Sequence, residues 1–359
     1  MKNLNRMRVQ AETLGVTLRP HVKTCKSPDV ILLGNDGKSC PITVSTLREA
    51  EYFADAGFTD IIYAVSMVPG KLERAKDIMK RGVDLKIIID DANIARQIGE
   101  FGDQNDCNFN VMIEIDVDMH RAGLSPDAPE VIEIAKIIHE QQGTELAGVL
   151  THAGESYECE TKEQLIQAAE NERAQIARAA DNIIEAGYPC KIVSCGSTPT
   201  ATYAQNLRDV TELRAGVYVF QDAFQAGRGC STNNDIALSV LCTVISHKNN
   251  QSRIITDAGG MALSKDQSTR GTDFDCGYGI VCDIDGNIID NLIVTGANQE
   301  HGIITTKDGS DFNFASYPIG TRLRILPNHA CMTAAAYDEY NVVDNGTDVI
   351  DTWSRCNGW

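Results

Sequence analysis

The chain has 359 residues, 43% of them apolar, and a formal charge of −18. That length suits two domains, or one barrel with an addition. An acidic excess spread along the chain argues against nucleic acid or an anionic membrane as partner. No apolar run reaches the ~18 residues that a membrane span needs. The first residues, Met1 to Arg6, carry no hydrophobic region of a signal peptide. A cytoplasmic protein is expected, so the twelve scattered cysteines, none in a CxxC pair, read mostly as small buried hydrophobes.

In chain order, 3–14 reads as a helix and 17–24 as a strand, since Pro20 biases Arg19 towards extended geometry. Residues 28–33 read as a short helix before the turn Gly34-Asn35-Asp36-Gly37. Strands then fall at 41–44, 61–65, 85–89, 110–115, 146–151, 191–194 and 212–216. Helices alternate with them at 46–56, 70–81, 91–102, 128–142, 162–186 and, briefly, 201–206. Continuously apolar strands separated by helices of this length indicate parallel βαβ units. Eight such strands, the first included, suggest a (β/α)₈ barrel. A doubly wound sheet is the alternative, because periodicity alone cannot close a barrel. After about residue 230 the pattern becomes β-type, with runs at 236–249, 252–257, 278–283, 287–295, 302–306 and 322–326. Turns such as Asp285-Gly286 and Asp308-Gly309 separate them. Two domains are expected, 1–230 and a mostly antiparallel 231–359.

In a parallel barrel the active site lies at the C-terminal ends of the strands. Lys23 follows the first strand. Glu114, Asp116, His120 and Arg121 follow the fifth, and His152, Ser156 and Tyr157 the sixth. Residues 194–200 follow the seventh, and Gly216, Val217 and Tyr218 the eighth. A lysine at a strand end, facing a pocket, is what Schiff-base chemistry needs; by itself it reads more simply as a surface lysine. Ser194-Cys195-Gly196-Ser197-Thr198-Pro199-Thr200 is small, hydroxyl-rich and leads into a helix, which suits a phosphate. An ordinary helix cap explains the same residues, and the place after strand seven favours phosphate. Lysine and phosphate loop together suggest pyridoxal phosphate, whose ring acts as an electron sink. Arg121 then reaches the ring's phenolic oxygen, or else pairs with Glu114 or Asp116.

Near the end, Pro327-Asn328-His329-Ala330-Cys331 places His329 and Cys331 on one face if the segment is a strand, where they can share an ion. Two ligands are too few for a structural zinc and fit an open site, although a lone HxC recurs by chance. Glu300 and His301 offer a carboxylate and an imidazole to the chemistry. His139 and His247 lack polar company and read as structural.

Taken together these residues resemble the fold type III pyridoxal-phosphate family of D-serine dehydratases and D-threonine aldolases. The carriers are Arg19-Pro20-His21-Val22-Lys23-Thr24, 42–46, Glu114 to Asp118 with Arg121-Ala122-Gly123, and 152–157. Further carriers are Gly196 to Thr200, Gly216 to Phe220, Asn298 to Gly302 and Pro327 to Cys331. The resemblance covers nearly the whole chain. It implies an alanine-racemase-like barrel followed by a β domain, working as a homodimer. It implies Lys23 as the Schiff-base lysine. His21, Arg121, His152, Tyr157, Gly196, Ser197, Thr198, Gly216, Val217 and Tyr218 would hold the cofactor. His329 and Cys331 would hold a metal, with zinc favoured over manganese or magnesium because a thiolate is soft. The implied reaction is β-elimination on a β-hydroxy D-amino acid, D-serine or 3-hydroxyaspartate, giving a 2-oxo acid and ammonia. Aldol cleavage to glycine and an aldehyde is the alternative, and racemisation a more distant one. Cys25 replaces a histidine usual in the family, and Glu155 stands where a small residue or histidine is expected. The family also carries residues ahead of the first helix, so this chain reads as starting inside that element.

Overall fold

The computed structural model describes all residues except Asn345 and Trp359. They form two compact units, Met1–Tyr218 with Gly358, and Val219–Asn357. In the first unit the strands are β1 Thr17–Pro20, β2 Ile42–Val44, β3 Asp60–Tyr63, β4 Asp84–Ile89, β5 Phe109–Ile115, β6 Thr144–Thr151, β7 Ile192–Cys195 and β8 Glu212–Ala215. The helices are α1 Lys2–Leu14, α2 Pro28–Gly34, α3 Leu47–Asp55, α4 Leu72–Met79, α5 Ala92–Gln104, α6 Pro129–Glu140, α7 Lys162–Glu185 and α8 Thr198–Tyr203. Local chemistry sets several starts. Thr46 accepts the Glu49 N–H ahead of α3, Asp91 accepts from Asn93 and Ile94 ahead of α5, and Thr161 with Gln164 forms a capping box on α7.

All eight strands are parallel, in the order β1-β8-β7-β6-β5-β4-β3-β2. The seam between β1 and β2 closes through a parallel bridge, His21 to Thr43, and a Val22 N–H···O=C Thr43 bond of 2.9 Å. The expected barrel is therefore present. The first strand is shorter than expected. It pairs with β8 from Thr17 to Pro20 and stops where β8 ends at Ala215, and Lys23 stands in the turn just past the seam. The short helix expected at 201–206 begins earlier, at Thr198, where Ser197 caps it.

Inside the barrel Ile62, Ile88, Met112, Ala147 and Leu150 pack as one cluster. Beside this apolar layer runs a chain of buried charge. Arg19, 2% exposed, donates to Glu212 at 2.8 Å and to Asp60 at 2.8 Å. Glu212 also accepts from Ser194 Oγ at 2.6 Å, and that hydroxyl accepts from Arg214 at 2.7 Å. Lys86 donates to Asp60 at 2.8 Å.

The second unit contains a closed antiparallel barrel, ordered β10-β13-β12-β11-β14-β9. Its strands are β9 Val240–Lys248, β10 Arg253–Thr256, β11 Gly279–Cys282, β12 Ile288–Ala297, β13 Gly302–Thr306 and β14 Arg322–Pro327. Val244, Ile254, Val281, Ile304 and Ile325 fill it. Three short helices, α9 Ala223–Gly227, α10 Gly260–Leu263 and α11 Ala330–Ala334, accompany a hairpin of β15 Glu339–Val343 and β16 Val349–Ser354. The hairpin was not expected. Neither strand buries a face within the chain, so its sequence lacks the alternation that marks a half-buried strand.

Removing Glu212 takes one of two carboxylate partners from Arg19 and cuts the link through Ser194 that ties Arg214 to a buried negative charge. Glu212→Ala is expected to lower the unfolding free energy of the first unit by about 3–5 kcal/mol, measured by urea titration. A loss below about 1 kcal/mol would show that the charge chain contributes little.

Candidate active site

The ends of the parallel strands enclose a cavity of about 330 Å³ in the first unit. The turn after β1 brings His21 and Lys23, β5 and its loop bring Glu114 and Arg121, and the segment after β6 brings His152 and Tyr157. Gly196, Ser197 and Thr198 come from the β7 end, and Gly216 and Val217 from the β8 end. These are the positions named from sequence, with one exception. Tyr218 does not line the cavity; it is buried and donates its N–H to Thr198 Oγ1 at 3.2 Å.

Three cationic side chains, Lys23, Arg121 and Arg214, line this space. Among the described residues Arg121 makes no ion pair with Glu114 or Asp116. Asp116 instead accepts the N–H groups of Asp118 and His120, both at 3.2 Å, and so shapes the loop that carries Arg121. Burial, then Lys23 and Arg121, push the His152 imidazolium down to about 3. His152 is thus neutral, and its Nδ1 lies 3.2 Å from the Gly196 carbonyl. A carbonyl only accepts, so Nδ1 carries the hydrogen and Nε2 is bare. Burial, then Lys23 and Arg214, hold His21 well below the usual imidazole range. Burial raises Glu114 above the usual carboxylate range, despite a 3.1 Å bond from Ser66.

Arg214 was missed from sequence. Its signal was present, as one of two charges alternating with Leu213 and Ala215 in a buried barrel strand. Glu172, on α7, and Ser66 gave no local signal, because distant segments deliver them. Cys25, in the family's histidine position, is fully buried, with its thiol near the carbonyls of Val22 and Ser27. Glu155 is exposed and donates its N–H to Asp118 at 2.8 Å.

In the second unit, His329 and Cys331 do come together, though not on a strand. β14 ends at Pro327, His329 occupies the cap position of α11, and Cys331 lies in its first turn. Three bonds force this corner. Asp222, buried, accepts the Ala330 N–H at 2.9 Å, and the Asn328 amide donates to Thr269 at 2.7 Å and Gly277 at 2.8 Å. The His329 and Cys331 side chains are hydrogen-bonded to each other. Asp266, unforeseen, bonds His329 Nδ1 at 2.6 Å and accepts from Ser268 Oγ at 2.6 Å. Burial alone would lower the His329 imidazolium, but Asp266 and Cys331 outweigh it and push it up to about 10. Glu300 and His301 sit on the exposed turn between β12 and β13; among the described residues neither side chain is hydrogen-bonded. His247 bonds the Tyr317 carbonyl at 2.7 Å and His139 packs edge-on to Tyr188, as structural histidines do.

Comparisons with known proteins agree along the whole chain. Residues 1–223 match the alanine racemase N-terminal domain, and residues 237–343 a putative serine dehydratase domain. D-threo-3-hydroxyaspartate dehydratase of Delftia sp. (strain HT23) is 48% identical over 100% of this chain and 94% of its own length. Its solved structure superposes with a TM-score of 0.96 at 47% identity, covering 100% of this chain and 95% of that one. A cysteine-to-alanine mutant of that enzyme, solved in the metal-free form, gives 0.97 at 47% identity, again covering 100% and 95%. D-serine dehydratase of Dictyostelium discoideum is 30% identical over 99% of this chain and 94% of its own length. A cationic cavity with one lysine at the end of a parallel barrel, joined to a serine dehydratase domain, therefore places this chain in the fold type III pyridoxal-phosphate family of D-threo-3-hydroxyaspartate and D-serine dehydratases.

Proposed function

We propose that the protein is a pyridoxal-phosphate- and metal-dependent dehydratase of β-hydroxy D-amino acids, with D-threo-3-hydroxyaspartate ahead of D-serine as substrate. The observation that carries this reading is the Cys331 thiol in contact with the His329 imidazole, in a chain whose whole-length relative is a dehydratase. The residues present fit both groups. An amine, two guanidinium groups and the hydroxyls of Ser197 and Thr198 around one cavity suit an anionic aldehyde cofactor. An imidazole and a thiol suit zinc, and leave coordination positions open for substrate and water.

Pyridoxal phosphate, when bound, supplies an electron sink beside Cα, and the metal supplies Lewis acidity towards the departing β-hydroxyl. Lys23 holds the cofactor and, once free, accepts the Cα proton. Arg121 and Arg214 keep the cavity positive for phosphate and carboxylate. Asp266 holds Nδ1 of His329, which leaves Nε2 for the metal. His301 and Glu300, on their exposed turn, remain candidates for proton transfer at the β-hydroxyl. Overall the substrate loses water at Cα–Cβ, and hydrolysis of the product enamine returns it, giving a 2-oxo acid and ammonia. Assembly as a homodimer and a cytoplasmic location belong to the same reading.

Incubation with D-threo-3-hydroxyaspartate is expected to release oxaloacetate and ammonia, and D-serine to give pyruvate more slowly. Glycine and glyoxylate as the main products would make the protein an aldolase instead.

Lys23→Ala is expected to abolish the visible absorbance of the bound cofactor and to cut turnover by at least about a thousandfold. Cys331→Ala should keep the absorbance and lose at least about a hundredfold in kcat. Full activity in Cys331→Ala, with metal-free buffers, would remove the metal from the reaction.

Because His329 keeps its proton up to about pH 10, metal loading has to displace that proton. Zinc affinity should therefore rise with pH from 6 towards 9, by about tenfold per unit for each proton that His329 and Cys331 release. Calorimetry in buffers of different ionisation enthalpy should record proton release. A pH-independent affinity would contradict this account.

A further inference from the structure

Glu172 is a buried carboxylate, 2% exposed, that enters the cavity's surroundings from the middle of α7. One of its oxygens accepts the N–H of Ala153 at 3.0 Å and the N–H of Gly196 at 3.0 Å. These amides belong to different rim segments. Ala153 follows His152 at the end of β6, and Gly196 opens the Ser197-Thr198 loop at the end of β7. Gly196 has φ +127°, and a Cβ there would lie 2.3 Å from the Arg214 carbonyl oxygen. The residue is held in a conformation that only glycine adopts readily. Its carbonyl is then the group that meets His152 Nδ1 at 3.2 Å.

We propose that Glu172 is a positioning residue for the cofactor site: by gripping the amides of Ala153 and Gly196 it aligns the phosphate loop with His152 and fixes the tautomer of that imidazole. The step is mechanical. Without the carboxylate, two buried N–H groups lack an acceptor, and such groups are costly enough to make the backbone turn away. Rotation at Gly196 withdraws the carbonyl from His152 and moves Ser197 and Thr198 together. The hydroxyl contact between Ser156 and Ser197, 3.0 Å, joins the same two segments but grips neither amide.

This inference rests on the pyridoxal-phosphate reading only for its second readout. The test uses full-length protein carrying ¹⁵N-histidine, with the His152 ring signals assigned by their loss in His152→Asn. In the cofactor-free wild type, ring ¹⁵N shifts should report Nδ1–H. Glu172→Val should shift His152 to a mixture of tautomers and weaken pyridoxal phosphate binding at least about tenfold. Glu172→Gln, which keeps an acceptor oxygen for both amides, should preserve the tautomer and bind cofactor within about threefold of wild type. Should Glu172→Val fail to fold, Glu172→Asp replaces it, since its charge is kept while its reach is shortened by one methylene. Wild-type tautomer and affinity in a folded Val or Asp variant would overturn the proposal. So would a Gln variant as impaired as Val. If wild-type protein binds no pyridoxal phosphate, the cofactor reading fails, while the tautomer measurement still decides the role of Glu172.

Discussion

The first unit depends on one buried carboxylate. Glu212 takes hydrogen bonds from Arg19 on one side and from Ser194 on the other, and Ser194 in turn accepts from Arg214. Two guanidinium groups inside a barrel are costly unless each meets an acceptor. Burial pulls the Arg214 pKa down, and Glu212 is the leading group that opposes it. The charges pack beside the apolar layer of Ile62, Ile88 and Met112 instead of interrupting it. One end of the chain of contacts anchors β1 to Asp60, the first residue of β3. The other end presents Arg214 to the cavity. The structural network and the cation lining the cavity are therefore one device.

The barrel seam has the same double use. β1 and β2 are too short to pair fully, so closure falls to His21 and Val22 against Thr43. The chain leaves that bridge in a turn, which carries Lys23 to the cavity instead of along a strand. Gly216 stands against the same turn: a Cβ there would lie 2.9 Å from the His21 carbonyl oxygen. The glycines named as cofactor-holding thus also let neighbouring backbones approach closely.

Much of this was legible in the residues. Apolar strands alternating with long helices carry their own signal, because strand burial on both faces removes the polar alternation. The rim residues followed from that, since strand ends in a parallel barrel share one side. What escaped was of two kinds. Charged residues inside strands, Glu212 and Arg214, contradict the pattern used to find strands, so they read as noise until their partners are seen. Glu172, Asp222 and Asp266 act across the fold on backbone or imidazole groups far away in sequence, and no local spacing records that. The His329–Cys331 pair was found with the wrong geometry. HxC shares a face on a strand, yet these residues meet because Asp222 and Asn328 turn the chain into α11.

The charge of the cavity runs against the charge of the chain. A net −18 describes the far field, which salt screens over about 10 Å. Within the cavity the fixed charges are mainly positive, and that has a chemical consequence. A base that takes a proton from carbon has to bind protons firmly at working pH. His152, held near 3 by burial and its cationic neighbours, binds them too weakly, and His21 is depressed in the same way. Burial first, and then the cations lining the cavity, disable its two imidazoles as bases. Glu114 is raised by burial but already accepts from Ser66. That leaves the Lys23 amine, on the same rim, as the acceptor that the proposed reaction calls for.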